Sequence, residues 1–303
     1  MDGILNINKP PGLTSFDVVA RLRRLTGERR VGHAGTLDPA ASGVLPVCLG
    51  RATRIVEFLM DEAKAYRAEV VLGVVTDTYD ATGRVVGRGD PAGITREEVA
   101  ATLSAFCGVI AQTPPMYSAV KHQGQPLYRL ARAGVTVARA SRPVQVHRLE
   151  LVAWQPPVFT LEVECGRGTY IRSLAHDLGQ RLGCGASLHS LVRRCCGSFD
   201  IDDAVSLPRF EEACRYGYWE RLVYPVDVVL RHWATLVVGP ANAENIRQGR
   251  PPVLPPESDP GPPSAGAAAH RYCRAYTAEG GFLGVLRFDP ERGQWQPAKV
   301  LCR

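Results

Sequence analysis

The chain has 303 residues, 45% apolar and 22% charged, the proportions of an ordinary globular protein with room for one large domain and a small one. It has no run of eighteen apolar residues, which excludes a membrane-spanning helix. Its nine cysteines show no Cys-x-x-Cys spacing and few histidines nearby, which argues against a zinc site or a disulfide framework, and Cys48, Cys107 and Cys165 stand in apolar surroundings, where a free thiol behaves as a small hydrophobe. The net charge of +6 says little as a total; its placement along the chain says more.

The opening "MDGILNINKPPG" lacks a basic segment followed by an apolar stretch, so no signal peptide is expected and the location reads as cytoplasmic. Residues 14–26, "TSFDVVARLRRLT", predict an amphipathic helix capped by Thr14 or Ser15, with Phe16, Val19, Leu22 and Arg23 at helical spacing. The helix runs into a basic cluster, "RLRRLTGERR". The next block, "GHAGTLDPAASGVLPVCLG", sets a single carboxylate, Asp38, among small residues. Gly35 and Gly43 open backbone shapes closed to other residues, and Pro39 stiffens the chain after the Asp. "AYRAEVVLG" alternates as a strand. "TREEVAATLSAFCG" opens on a Thr95/Glu98 capping box and reads as a helix ending at Gly108.

From Gln112 to Leu149 there are six Lys or Arg and no Asp or Glu. Within 112–140, Tyr117 and Tyr128 alternate with Lys121, Arg129 and Arg132, a pattern that suits an RNA-contacting arm: cations meet phosphates and rings meet bases. A connecting hairpin and helix with buried tyrosines fits the same residues. "VQVHRLELVAW" and "VFTLEVEC" predict an antiparallel pair across "QPP". "GTYIRSLAHDLGQRLG" then passes into a helix closed by Gly183. Strands and helices mix without βαβ regularity, so the expected class is α+β: a central mixed, largely antiparallel sheet flanked by helices. The texture changes near residue 231. A strand, a short helix and two further strands turning at Gly280-Gly281 suggest a small β-rich domain over 232–303. Its Pro/Gly/Ala/Ser-rich stretch 251–268 reads as a disordered insertion.

By local chemistry alone Asp38 is a turn residue, Tyr66 and Tyr170 are core aromatics, and Arg172 is a surface charge. The alternative is a carboxylate held ionised and oriented by Arg172, with a tyrosine ring for an extruded base. No second carboxylate is placed convincingly as a general acid, which weakens a glycosidase reading.

Six blocks in order, "NINKPPGLTSFDVV", "VGHAGTLDPAASGVLPVCLGRATR", "KAYRAEVVLGVVTDTYDATG", "TPPMYSAVKHQGQPLYRLARAG", "VECGRGTYIRSLAHDLG" and "LHSLVRRCCGSF", resemble the TruB family of tRNA pseudouridine synthases over residues 3–231. The C-terminal part is similar, more weakly, to the PUA RNA-binding domain. The resemblance implies a pseudouridine synthase fold over 1–231, with the arm at 112–140, and isomerisation of uridine 55 in the T loop of tRNA without metal or organic cofactor. The partner implied is the tRNA T-arm; the apolar pattern gives no membrane association, and nothing in the sequence demands an obligate protein partner or more than a monomer. The catalytic carboxylate falls on Asp38, the stacking tyrosine, with a further role in removing the C5 proton, on Tyr66, and the carboxylate-pairing arginine on Arg172. Substrate contacts fall on His33, Tyr170 and Leu191, with Asp80 and Arg193 as further candidates, and structural support on Lys9. Read on their own, His33 bonds its loop, Leu191 is core, Asp80 forms an Asx turn and Arg193 is a solvated charge. Ser187, Cys195 and Cys196 depart from the family's usual residues. Competing functions are a tRNA-folding chaperone with secondary catalysis, a nucleoside hydrolase or glycosidase, and action on guide-RNA complexes.

Overall fold

The computed structural model describes residues 1–254 and 271–302. The expected insertion therefore lies outside the described residues from position 255 onward, and 251–254 have no regular structure.

The strand Ser42–Leu49 is buried along nearly its whole length. A continuous apolar run of this kind needs cover on both faces, and the sheet around it supplies that. In an eleven-stranded sheet the main path runs Val205–Ser206, Gly3–Lys9, Ser42–Leu49, Ala186–Cys196, Lys64–Leu72, Val158–Cys165, Arg142–Gln155, Gly108–Gln112. Two pairings are parallel, Gly3–Lys9 with Val205–Ser206 and Ala186–Cys196 with Ser42–Leu49; the rest of the path is antiparallel. The expected α+β class and mixed, largely antiparallel sheet are what the chain forms.

Alternation along the strands sorts side chains between the faces. Leu5, Ile7, Leu45, Val47 and Leu49 pack with the helices Ser15–Thr26 and Leu207–Arg215. Ala68, Val70, Leu161 and Val163 pack with the helices Arg96–Leu103 and Ile171–Arg181. Tyr66 and Leu191 pack against both cores, so they mark the seam between the two helix pairs.

On the opposite face Ile4, Val44, Cys48 and Cys196 meet Trp233, Val285 and Leu301. Val285 belongs to the C-terminal four-stranded sheet, ordered Ala234–Val238, Tyr272–Thr277, Phe282–Asp289, Gln294–Val300, and Leu301 directly follows its last strand. This small β domain has its own core of Leu236, Ile246, Ala275, Leu283 and Trp295. Arg51 donates to Leu301 O at 2.9 Å and Lys299 pairs with Glu57 at 2.8 Å across the junction.

Three local expectations change. Phe16 lies outside the helix's buried face and is 66% exposed; Ser15, Val18, Val19 and Leu22 are the buried residues. Ser15 earns its interior place through its hydroxyl, which accepts from Leu37 N at 2.9 Å and donates to Leu37 O at 3.2 Å. The α-helix after Thr95 stops at Leu103, and Gly108 opens a strand paired with Arg142–Val146, so sheet pairing overrides the glycine stop. Cys107, expected in apolar surroundings, is exposed; Cys48 and Cys165 are buried. The arm forms a small hairpin, Lys121–His122 with Gln125–Pro126, followed by a short helix Leu127–Arg132. Arg132 lies over the Tyr128 ring at 5.7 Å.

Candidate active site

Arg172 is the second residue of the helix Ile171–Arg181 and only 5% of its side chain is exposed. A buried guanidinium needs partners for five N–H donors, and the site provides them. Nε lies 2.8 Å from Asp38 Oδ2, and Nη2 donates to Asp38 Oδ1 at 3.0 Å, a bidentate grip. Nη2 also donates to Tyr117 O at 2.9 Å, and Nη1 to Thr78 O at 3.2 Å. Asp80 Oδ2 lies 3.6 Å from Nη1. Asp38 therefore shares its cation with a second carboxylate, a neighbour that spacing alone did not reveal. Asp80 also makes the Asx turn, accepting from Thr82 N at 2.9 Å and from the Thr78 hydroxyl at 2.8 Å.

The Asp38 loop is clamped from below. Lys9 is fully buried and donates from Nζ to Pro10 O, Leu13 O and Pro39 O at 2.9, 2.7 and 3.2 Å. Gly12 N reaches Pro39 O at 2.8 Å, and the Ser15 hydroxyl holds both polar groups of Leu37. Burial lowers the Lys9 ammonium to about 8, against the pull of Asp38. The Asp38 side chain keeps 39% of its surface open, so the carboxylate is fixed yet reachable. Burial raises its value above the ordinary range; Arg172 opposes this and Asp80 adds to it.

Arg193 is not a solvated charge: it is 1% exposed, donating from Nε to Val44 O at 2.6 Å and from Nη2 to Gly35 O at 3.2 Å. It sits opposite Tyr66 in the strand register, with Leu191 opposite Ala68. Burial pushes the Tyr66 hydroxyl up to about 12, while Arg193 draws it down by charge and hydrogen bonding. His33, in the short strand Val31–His33, has a buried Nδ1 without a hydrogen-bond partner among the described residues. Burial and Arg193 keep its imidazole below the ordinary range, hence neutral at pH 7. Tyr170 precedes Ile171 and is locked to Gln112, whose Oε1 accepts from Tyr170 N at 2.7 Å and whose Nε2 donates to Tyr170 O at 3.0 Å. Asp38, Asp80 and Tyr170 thus gather about Arg172, and Tyr66, His33 and Lys9 about Arg193. Chain spacing missed the Thr78 and Tyr117 carbonyls that complete the Arg172 shell, because a backbone acceptor has no residue-type signature.

Gly43 has φ of +102°, and a Cβ there would lie 2.2 Å from Arg193 O. Gly43→Ala is expected to cost about 2–3 kcal/mol, from left-handed strain plus displacement of the Arg193 strand. Denaturant melts check this; an unchanged midpoint would refute the close approach.

With this geometry in hand, the chain's relatives become informative. Residues 23–171 match the model for the TruB family pseudouridylate synthase N-terminal domain, and residues 172–231 match that for the tRNA pseudouridylate synthase B C-terminal domain. The tRNA pseudouridine synthase B of Dehalococcoides mccartyi (strain CBDB1) is 44% identical over 303 residues, covering 100% of this chain and 97% of that protein. The chain belongs to the TruB family of pseudouridylate synthases. As a TruB-family protein it is an enzyme of the isomerase class. The Geobacter sulfurreducens protein of the same name is 46% identical over 253 residues, covering 83% of each chain. The Cbf5 chain of a crystallised Cbf5–Nop10–Gar1 complex shares the fold with a TM-score of 0.75 and 25% identity, covering 99% of this chain and 85% of that one. The likeness to that chain extends through the C-terminal β domain, beyond the residues that the TruB family models match.

Proposed function

We propose that the protein converts uridine 55 in the tRNA T loop to pseudouridine, with Asp38 as the catalytic carboxylate. The observation that carries this is the bidentate Arg172–Asp38 pair, in which the guanidinium is buried while the Asp38 carboxylate stays open to solvent. The target uridine must leave its stack, at a cost of about a few kcal/mol. Asp38 then presents negative charge to ribose C1′ as the bond to uracil N1 breaks. The freed base turns while held; C5 bonds to C1′, the proton that C5 carried is lost to solvent, and N1 takes up one proton in exchange. Atoms are conserved, so the chemistry requires no redox partner.

The other residues take roles that match their surroundings. The Tyr66 ring stacks on uracil and Leu191 supplies an apolar wall that retains it. Proton removal by Tyr66 would require the phenolate, which burial disfavours, so stacking is the role assigned. Neutral His33 occupies space vacated by the base. Tyr170 lines the entrance beside Arg172, and Asp80 helps orient that arginine. Arg193 pins Gly35 and Val44 beneath Tyr66, and Lys9 supports the Asp38 loop. In this reading residues 1–231 form the catalytic domain, 112–140 an arm on the T-arm of tRNA, and 232–303 a PUA-like RNA-binding domain. The enzyme acts as a single chain in the cytoplasm; among the described residues no helix is long and apolar enough to cross a membrane.

The deciding experiment incubates the protein with unmodified tRNA transcript and maps pseudouridine by carbodiimide adduct and primer extension. A stop at the T-loop uridine supports the reading; a transcript without one removes it. Release of free uracil would point instead to a nucleoside hydrolase. A second expectation concerns salt. With Lys121, Arg129, Arg132, Arg139 and Arg142 in one acid-free stretch, tRNA affinity should fall by about 10²- to 10³-fold between 50 and 200 mM salt. A flat titration would exclude phosphate contacts as the main source of affinity.

A further inference from the structure

Two residues outside that set hold the site together from behind. Tyr79 stands between Thr78, whose carbonyl accepts from Arg172, and Asp80, whose carboxylate faces the same guanidinium. Its φ of +65° is a left-handed conformation that a bulky side chain rarely adopts. Surrounding contacts must therefore over-determine it. Tyr79 N reaches Thr76 O at 3.2 Å, and Tyr79 O accepts from Leu188 N at 2.9 Å, tying the turn to the central sheet. The ring stacks on His176, with centroids 3.9 Å apart and planes 10° from parallel. His176 follows Arg172 by four residues on one helix, so both project from the same face.

One helix thus grips the 76–82 turn twice, by the Arg172 guanidinium and by the His176 ring. We propose that the Tyr79–His176 stack is a positioning device for the Arg172–Asp38 pair. It holds the strained turn so that Thr78 O and Asp80 orient the guanidinium toward Asp38. This inference deepens the proposed function and rests on it. The imidazole suits the task because burial and the charge of Arg139 keep it neutral at pH 7, so it stacks without bringing a further cation toward Arg172. Its buried Nδ1 has no hydrogen-bond partner among the described residues, which leaves ring packing as its evident contact.

The test measures kcat, KM and the pH dependence of pseudouridine formation on tRNA transcript. The variants are His176→Ala, His176→Gln, His176→Phe, Tyr79→Gly and the His176→Ala/Tyr79→Gly double; thermal melts accompany them. Loss of the stack is expected to lower kcat about tenfold with KM within about twofold. His176→Phe keeps a ring and should recover to within about twofold of the parent. The double variant should be no slower than the worse single, because both changes remove one contact. A loosened guanidinium also leaves Asp38, which faces Arg172, Asp80, Lys9 and Tyr170, with less opposition to its raised value. The acid limb of kcat should therefore move to higher pH. A merely structural contact would lower the melting temperature and leave that limb in place. His176→Gln guards against poor folding of the alanine variant. A parental kcat and acid limb in folded His176→Gln or His176→Ala, or a His176→Phe as slow as His176→Ala, would overturn the inference alone. A parent that makes no pseudouridine would overturn the function proposed above and this inference with it.

Discussion

Asp38→Asn protein is expected to form pseudouridine at least about 10⁴-fold more slowly than the parent while binding tRNA with similar affinity. Asparagine keeps the shape and one acceptor for Arg172, and Asp80 remains to balance the guanidinium. What disappears is the negative charge that the proposed mechanism places at the reacting carbon. Stability should move the other way. Burial holds the Asp38 carboxyl above its ordinary value, so the folded chain binds a proton there that the unfolded chain has already released. By linkage that site's contribution is greatest at low pH and is lost as pH rises through the raised value. At neutral pH the charge strains the fold, and the neutral Asn variant should melt at the parental temperature or above it. The parental pH profile carries the same signs. Activity climbs as Asp38 ionises, then declines as pH passes about 8 and Lys9 gives up the proton that lets it hold three carbonyls. An Asn variant within tenfold of the parent would end the assignment of Asp38.

The chain advertises its elements through local chemistry. Thr14 and Thr95 each close a capping box, with Asp17 and Glu98, and a helix starts at each. The alternation of "VQVHRLELVAW" and "VFTLEVEC" became one long antiparallel pair, Arg142–Gln155 with Val158–Cys165. Periodicity misjudged Phe16, because a helix's apolar count does not say which face meets a sheet. Here the face is chosen by Ser15, whose hydroxyl satisfies Leu37 in the interior. The stop at Leu103 was equally hidden, since the pairing that ends the helix lies with residues 142–146.

The site was legible only in part. Asp38 and Arg172 are 134 residues apart, so no local pattern joins them, and the family resemblance alone put them together. Arg193 and Lys9 look like solvated cations in a sequence. Both are interior because backbone carbonyls, invisible to residue-type reasoning, absorb their donors. The Arg172/His176 spacing was written plainly at i and i+4, but its partner Tyr79 lies in a turn almost a hundred residues earlier. Contacts that depend on two side chains on one helix are readable; contacts that depend on where a distant loop arrives are not.

Arg172 tests the whole arrangement, because one planar cation serves two carboxylates and two carbonyls. Arg172→Ala leaves Asp38 and Asp80 facing each other without their shared counter-ion, and Thr78 O and Tyr117 O without donors. Breaking a buried pair from one side costs about 3–5 kcal/mol, which for a chain of this size lowers the melting temperature by roughly 10 °C. Arg172→Lys separates charge from geometry. Its ammonium restores one positive charge, but three donors radiating from one point cannot grip both Asp38 oxygens and reach Thr78 and Tyr117 together. It should therefore recover much of the stability and little of the activity, with pseudouridine formation still about 10²- to 10³-fold below the parent. In the Arg172→Ala/Asp38→Asn double variant the uncompensated Asp38 charge is gone, so part of the stability lost in Arg172→Ala should return. Thermal melts and single-turnover assays on tRNA transcript read both quantities. A lysine variant that isomerises at the parental rate would mean that charge alone suffices and that the bidentate grip on Asp38 has no part in the reaction.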